Sequence, residues 1–250
     1  MKLSNPMKSA SLLRYPSGNL YQGYGENVSL YLAAIGAKGH TGIDIAMPEG
    51  TPVVASHDGT VIEIKDTPTG YGKHIRLVSP QLPDKTYWYT VYGHLGDIFV
   101  KVGQEVKAGD EMALESNTGF VISGGNKYWG DAPSGKGVHL HFGLRILKDA
   151  EAGHQESYLG KGYSIINYEN GLFGYIDPMP FFGKTMVELK RVKGQKDTYV
   201  IGKDGKKHLI INFHTYESGA NNIGLWDADV QEVDSLPQED GEVIVLVNNN

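Results

Sequence analysis

The chain contains no cysteine. Thiolate nucleophiles, cysteine-bound metals and disulfides are excluded together. No apolar run approaches the roughly 20 residues that a membrane-spanning helix needs, so no membrane span is expected. Basic blocks are also missing. The net charge is −6, and the richest basic stretch, Lys203-Asp204-Gly205-Lys206-Lys207, is broken by Asp-Gly and reads as a solvated turn. A nucleic-acid partner is therefore not expected, because such proteins present clustered Lys and Arg on one face. The opening residues, Met1-Lys2-Leu3-Ser4-Asn5-Pro6-Met7-Lys8, have no apolar h-region, so no secretory leader is expected.

Glycine, by contrast, is abundant, with 33 in 250 residues, and there are 15 tyrosines. Together with many Val and Ile, this composition favours short strands joined by tight turns over helices. Residues 1–36 are turn-rich and aromatic, and only 28–35 suits a short helix. From His40 to Ile146 strand patterns follow one another: Pro52-Val53-Val54-Ala55, Gly59-Thr60-Val61-Ile62-Glu63-Ile64, then 73–78, 86–92 and 139–146. The run Phe99-Val100-Lys101-Val102-Gly103-Gln104-Glu105-Val106-Lys107-Ala108-Gly109-Asp110 reads as a double turn, and 116–137 as a long Gly/Ser/Asn-rich loop. A mainly β fold is expected, an antiparallel folded-over sheet or β-sandwich of the duplicated-hybrid-motif kind. The texture changes after Ile176-Asp177-Pro178-Met179-Pro180, which divides the chain into residues 1–184 and a small C-terminal β module, 185–250. In that module, Thr198-Tyr199-Val200-Ile201 and His208-Leu209-Ile210-Ile211 flank Asp204-Gly205 as a hairpin. The tail Asn248-Asn249-Asn250 reads as frayed.

Three histidine settings carry chemistry. In His40-Thr41-Gly42-Ile43-Asp44, a fully extended chain would hold His40 and Asp44 about 13 Å apart. A turn at Thr41-Gly42 would unite imidazole and carboxylate, a pair suited to zinc. In His139-Leu140-His141, strand alternation points both imidazoles to one face, where one can bind a metal while the other faces substrate or water. His94 follows the aromatic strand 86–92. A single histidine is more often a surface or half-buried residue than a ligand. Four histidines and an aspartate within one β-rich segment point instead to a zinc site.

With these motifs in order, the chain resembles the lysostaphin-type (LytM-like) zinc metallopeptidases. The resemblance rests on His40-x-x-x-Asp44, Tyr92-x-His94-Leu95 and His139-x-His141. It extends through Pro48-Glu49-Gly50-Thr51-Pro52-Val53, Gly70-Tyr71-Gly72 and Asn117-Thr118-Gly119. It implies His40, Asp44 and His141 as zinc ligands, with His94 and His139 as catalytic histidines beside the metal-bound water. No His-Glu-x-x-His is present, so histidines must do the work of the glutamate base found in other zinc peptidases. The implied activity is a zinc-dependent endopeptidase, a hydrolase of bacterial peptidoglycan cross-links or stem peptides acting at the cell wall. Without a visible leader, the expected setting is a phage or lysis-associated lysin.

Other readings are weaker. A biotinyl or lipoyl carrier needs a lysine at an exposed turn flanked by Met or Ala and has no use for His139 and His141. A sugar-phosphotransferase carrier has no use for Asp44. A zinc-free binding domain, such as a virion component, should show substituted ligands, and all five positions are intact. His57, His74 and His154 are expected to be structural, as are His208 and His214, and Tyr92 is expected to pack. The C-terminal module, with Trp226-Asp227, is expected to bind cell wall or dock on a virion partner.

Overall fold

Glycine-punctuated, β-branched runs become short strands. The computed structural model describes residues 2–15, 18–130, 132–150 and 154–182, and beyond these 188–194, 198–201, 207–211, 231–233, 235 and 244–245. The chain divides into two units, Met1–Phe182 and Gly183–Asn250. The first unit opens with β1 (Leu20–Gln22), α1 (Val28–Ile35), β2 (Ile43–Ile45), β3 (Pro52–Val54), β4 (Gly59–Lys65) and β5 (His74–Val78). It continues through β6 (Thr86–Gly93), β7 (Leu95–Ile98), β8 (Glu105–Val106), β9 (Glu111–Glu115), β10 (Phe120–Ser123) and β11 (Asn126–Trp129). It closes with β12 (Leu140–Asp149), β13 (Tyr163–Ile165) and β14 (Tyr175–Ile176). The fold is mainly β and antiparallel. A large sheet runs β1-β2-β12-β6-β5-β4-β8, with β13 and β14 also paired to β12, and a smaller sheet runs β3-β9-β7. No helix among the described residues is long and apolar enough to cross a membrane.

Side-chain alternation along β12 divides the interior in two. Leu140, Phe142 and Leu144 join Val53, Leu95, Met112 and Ala113 of the smaller sheet in one core. His141, Gly143 and Arg145 take the alternate positions, towards a second core formed by Val91, Tyr89, Tyr175 and Leu159. Arg145 is buried there, with Nη1 donating to Tyr158 Oη at 2.7 Å and its guanidinium 4.0 Å above the Tyr175 ring. A buried cation needs such partners, because desolvation alone would expel it.

The 116–137 segment is more ordered than its composition suggests. Within it, β10 and β11 form a hairpin in register Phe120↔Trp129 to Ser123↔Asn126, turning at Gly124 and Gly125 with φ of 57° and 79°. Two consecutive positive φ values are what a tight hairpin turn demands, and glycine adopts them without steric cost. The double turn is also present, with Gln104 N–H bonded to Lys101 O at 3.0 Å and Asp110 N–H to Lys107 O at 2.9 Å around β8.

The second unit holds β15 (Glu188–Val192), β16 (Thr198–Ile201), β17 (Lys207–Ile211), β18 (Gln231–Val233) and β19 (Ile244–Val245). Their order is β18-β15-β16-β17-β19. The strands of the expected hairpin, β16 and β17, pair antiparallel from Thr198↔Ile210 to Ile201↔Lys207. The Asp204-Gly205 turn, His214, Trp226-Asp227 and the Asn248-Asn249-Asn250 tail lie outside the described residues.

Candidate metal centre

The chain bends at Thr41 and Gly42 before entering β2, which brings His40 beside Asp44. Strand β2 pairs with β12 in the register His141↔Asp44. The three side chains therefore meet across one sheet junction. His40 Nε2 lies 2.9 Å from His141 Nδ1, and Asp44 Oδ1 lies 3.1 Å from each of these nitrogens. All three residues are buried. Gly42 does not have the positive φ that its sequence context suggests. Its need is space, since a Cβ there would run into Phe142 O and lie 2.9 Å from Cε1 and Nε2 of His141. Gly42→Ala is therefore expected to push the His141 ring aside and weaken divalent-cation binding by about 10–100-fold. Competition titration against a chromogenic chelator measures this.

The other two histidines stand against this triangle. His139 Nε2 lies 3.7 Å from Asp44 Oδ2, and the His94 and His139 rings are 4.4 Å apart, centroid to centroid. The structure thus brings together all five residues expected at the site. His94 Nδ1 lies 2.7 Å from Thr118 O, and His139 Nδ1 lies 2.7 Å from Gly137 O. A carbonyl only accepts, so both rings carry their proton on Nδ1 and keep Nε2 as the free nitrogen. His94 also holds a left-handed backbone, φ 61°. Its amide donates to Tyr71 O at 2.7 Å and its carbonyl accepts Ser116 N–H at 3.1 Å, which fix that costly conformation.

Charge in the site follows from burial and neighbours. Burial alone would raise the Asp44 carboxyl, but the His40 and His139 imidazoles and hydrogen bonds from His141 and His40 hold it well below the usual carboxylate range. Burial, reinforced by His139, keeps His94 well below the usual imidazole range, and burial lowers His141 to about 4. At neutral pH the centre thus offers an ionised Asp44 beside neutral His94 and His141 imidazoles, which suits cation binding.

The donor set fits zinc in kind and in size. Two imidazole nitrogens and one carboxylate oxygen are borderline-to-hard donors. Three ligands of a tetrahedral zinc ion at about 2.0–2.1 Å stand about 3.3 Å apart, close to the 2.9, 3.1 and 3.1 Å seen between His40, His141 and Asp44. Among the described residues these three are the one cluster with that geometry.

Several supporting residues escaped the sequence reading. Tyr31 stacks on His40 with centroids 5.2 Å apart, and Tyr71 stacks on His141 at 4.9 Å. Gly23 O lies 3.1 Å from His40 Nδ1, the orienting contact a ligating histidine needs. A Cβ at Gly72 or Gly119 would strike the backbone of the other segment, so these glycines let the two strands of chain cross and set Tyr71 over His141. The Gly70-Tyr71-Gly72 and Asn117-Thr118-Gly119 motifs entered the sequence reading only through the family resemblance, with no sign that they cross. Of the remaining histidines, His57 bonds Thr90 Oγ1 at 3.0 Å, His74 sits 5.7 Å from the Tyr71 ring, and His154 stacks on Tyr168. The Tyr92 hydroxyl is 2.6 Å from Ser56 Oγ inside the core.

A family model described as "Peptidase family M23" matches residues 38–155, the stretch that carries all five residues. Those residues are thus similar to an M23 peptidase domain. Relatives agree. The peptidoglycan DD-endopeptidase ShyA of Vibrio cholerae is 37% identical over 107 residues, 43% of this chain and 20% of that protein. The glycyl-glycine endopeptidase ALE-1 of Staphylococcus capitis is 37% identical over 124 residues, 50% of this chain and 29% of that protein. The chain thus spans less than a third of the length of these curated relatives. Among solved structures, the catalytic domain of the antimicrobial peptidase lysostaphin from Staphylococcus simulans is 26% identical. That likeness covers 66% of this chain and 89% of that one, with a TM-score of 0.39. The matched residues lie within the first unit, and the match ends before the second begins.

Proposed function

We propose that this M23 domain is a zinc-dependent endopeptidase that hydrolyses peptide bonds in peptidoglycan cross-links or stem peptides. The observation that carries the reading is the His40–Asp44–His141 triangle with two more histidines against it. The names of the relatives support the substrate class, since one is a peptidoglycan DD-endopeptidase and the other a glycyl-glycine endopeptidase. The same proposal includes the cell wall as the site of action, a phage or lysis-associated setting, and a wall-binding or virion-docking role for the second unit.

His40, Asp44 and His141 would hold the metal, and zinc there supplies a Lewis acid and a hydroxide at neutral pH. The protein's own groups do the rest. His139, with Nδ1–H anchored on Gly137 O, offers Nε2 to take the proton of the attacking water and return it to the leaving amine. His94, anchored on Thr118 O, faces the same space, and with a proton taken up on Nε2 it would donate to the negative charge that develops on the scissile carbonyl oxygen. Asp44 Oδ1 lies 3.1 Å from both ligand imidazole nitrogens, and its Oδ2 faces His139. One carboxylate therefore sets both the ligands and the base.

The test combines metal content with digestion of purified peptidoglycan from several wall types, followed by mass analysis of the fragments. One equivalent of zinc, with chelator-sensitive release of new amino termini, is expected. Purified protein that takes up no zinc, or digestion unaffected by chelator, would overturn the reading and favour a zinc-free binding domain.

A further inference from the structure

Both histidines beside the metal centre take their orientation from one short run of chain, 115–118. Ser116 N–H donates to His94 O at 3.1 Å, and Ser116 O accepts His139 N–H at 3.2 Å. Thr118 O holds His94 Nδ1, while Thr118 Oγ1 donates to Leu95 O at 2.8 Å and accepts Lys73 N–H at 2.9 Å. Asn117 lies between these two residues with its side chain buried, 3% exposed. Its amide Nδ2 reaches the carbonyls of Pro133 and Lys136 at 3.0 Å each and that of Ala132 at 3.4 Å.

Those carbonyls belong to the loop 132–137 that leads into His139. The loop's last residue, Gly137, supplies the carbonyl that fixes the His139 ring. Its outer surface is exposed, and there a second group grips it. Glu49 Oε2 accepts Ser134 Oγ–H at 2.7 Å and Gly135 N–H at 3.0 Å. Gly135 and Gly137 both have positive φ, 73° and 67°, so the loop follows a path that L side chains disfavour and that outside contacts must hold. A Cβ at Gly137 would lie 3.0 Å from Val121 Cγ2, so hairpin β10–β11 closes the remaining side.

We propose that Asn117 is a positioning residue that sets His139 through the 132–137 loop and so keeps His139 and His94 in register, with Glu49 as the outer half of the clamp. The proposal rests on the roles given to His94 and His139 above. A misplacement of about 1 Å at a proton-transferring group costs about 100-fold in rate, so the clamp acts on turnover. None of its contacts touches His40, Asp44 or His141, so metal retention should not depend on it.

The test compares wild type, Asn117→Ala and Glu49→Ala as full-length, zinc-treated proteins. Asn117→Ala is expected to lower kcat at least tenfold with KM within about twofold and zinc content unchanged. In imidazole ¹⁵N spectra, His139 should pass from the Nδ1–H form to a tautomer mixture, because Gly137 O is no longer held beneath it. Glu49→Ala, an exposed change that does not threaten folding, should show the same spectral change in weaker form and a twofold to fivefold loss of kcat. It carries the test alone if Asn117→Ala does not fold. A His139 that keeps its Nδ1–H form in the folded variants overturns the proposal whatever the rate does. Wild type without zinc or turnover would instead sink the functional reading, while the spectra would still decide the clamp.

Discussion

His139→Ala is expected to keep its zinc and lose turnover by about 10²–10⁴-fold, the usual contribution of a positioned general acid–base group. His141→Ala is expected to lose the metal itself. The two residues are separated by one position in sequence and reach the same carboxylate, so the contrast is demanding. His141 Nδ1 sits 3.1 Å from Asp44 Oδ1 and 2.9 Å from His40 Nε2, inside the triangle. His139 approaches from outside, 3.7 Å from the other oxygen, Oδ2, and leans on the His94 ring. Removing His141 leaves two ligands and a cavity beneath Tyr71. Removing His139 leaves the triangle intact and deletes the free Nε2 beside it. Zinc per chain by elemental analysis, measured alongside kcat on purified peptidoglycan, separates the two effects. Full activity in His139→Ala, or stoichiometric zinc in His141→Ala, would reverse the assignment of roles.

Much of this site was legible because its ligands lie in local patterns that alternation and a single bend bring together. His139 and His141 share a strand face, and the Thr41-Gly42 bend returns His40 to Asp44. Strand boundaries were close for the same reason. The helix at Val28–Ile35 and the strand at Thr86–Gly93 follow their apolar patterns directly. What stayed hidden depends on register between distant segments. Nothing local to Asn117 shows that its amide will reach carbonyls 15 to 19 residues onward. The β10–β11 hairpin was hidden for another reason, since Gly124-Gly125 reads as loop composition when it is in fact a tight turn between Phe120-Val121-Ile122 and Lys127-Tyr128-Trp129. Gly42 shows a third kind of gap, in which the residue was read as permitting a turn whereas its need is space beside Phe142 O and the His141 ring across the sheet.

Glu115 is expected to make the first unit less stable as pH rises, in a manner that Glu115→Gln abolishes. The residue is 1% exposed and lies at the junction of the strands that carry the site. It accepts Met47 N–H at 3.1 Å just beyond β2, and the Leu140 amide at the start of β12. Its other oxygen, Oε2, has no hydrogen-bond partner among the described residues. Burial outweighs the two amide donors and raises the carboxyl from 4.5 to about 8. Below pH 4.5 both folded and unfolded chains are protonated there and Glu115 costs nothing. Between pH 4.5 and about 8 the unfolded chain releases its proton while the folded one retains it, so stability falls with rising pH. A tenfold change in proton affinity between the two states is worth about 1.4 kcal/mol, which makes the full loss several kcal/mol, up to about 5. Glutamine keeps a neutral acceptor for Met47 and Leu140 and carries no such penalty. Urea unfolding of wild type and Glu115→Gln at pH 5, 6, 7 and 8 isolates the effect, because every other titrating group is common to both. A stability difference that grows by at least about 2 kcal/mol in favour of glutamine across that range is expected. Curves that stay parallel would mean that Glu115 ionises normally in the folded protein. A neutral Glu115 at working pH also leaves Asp44 as the anion of the triangle, without a like charge from Glu115 at the junction of β2 and β12.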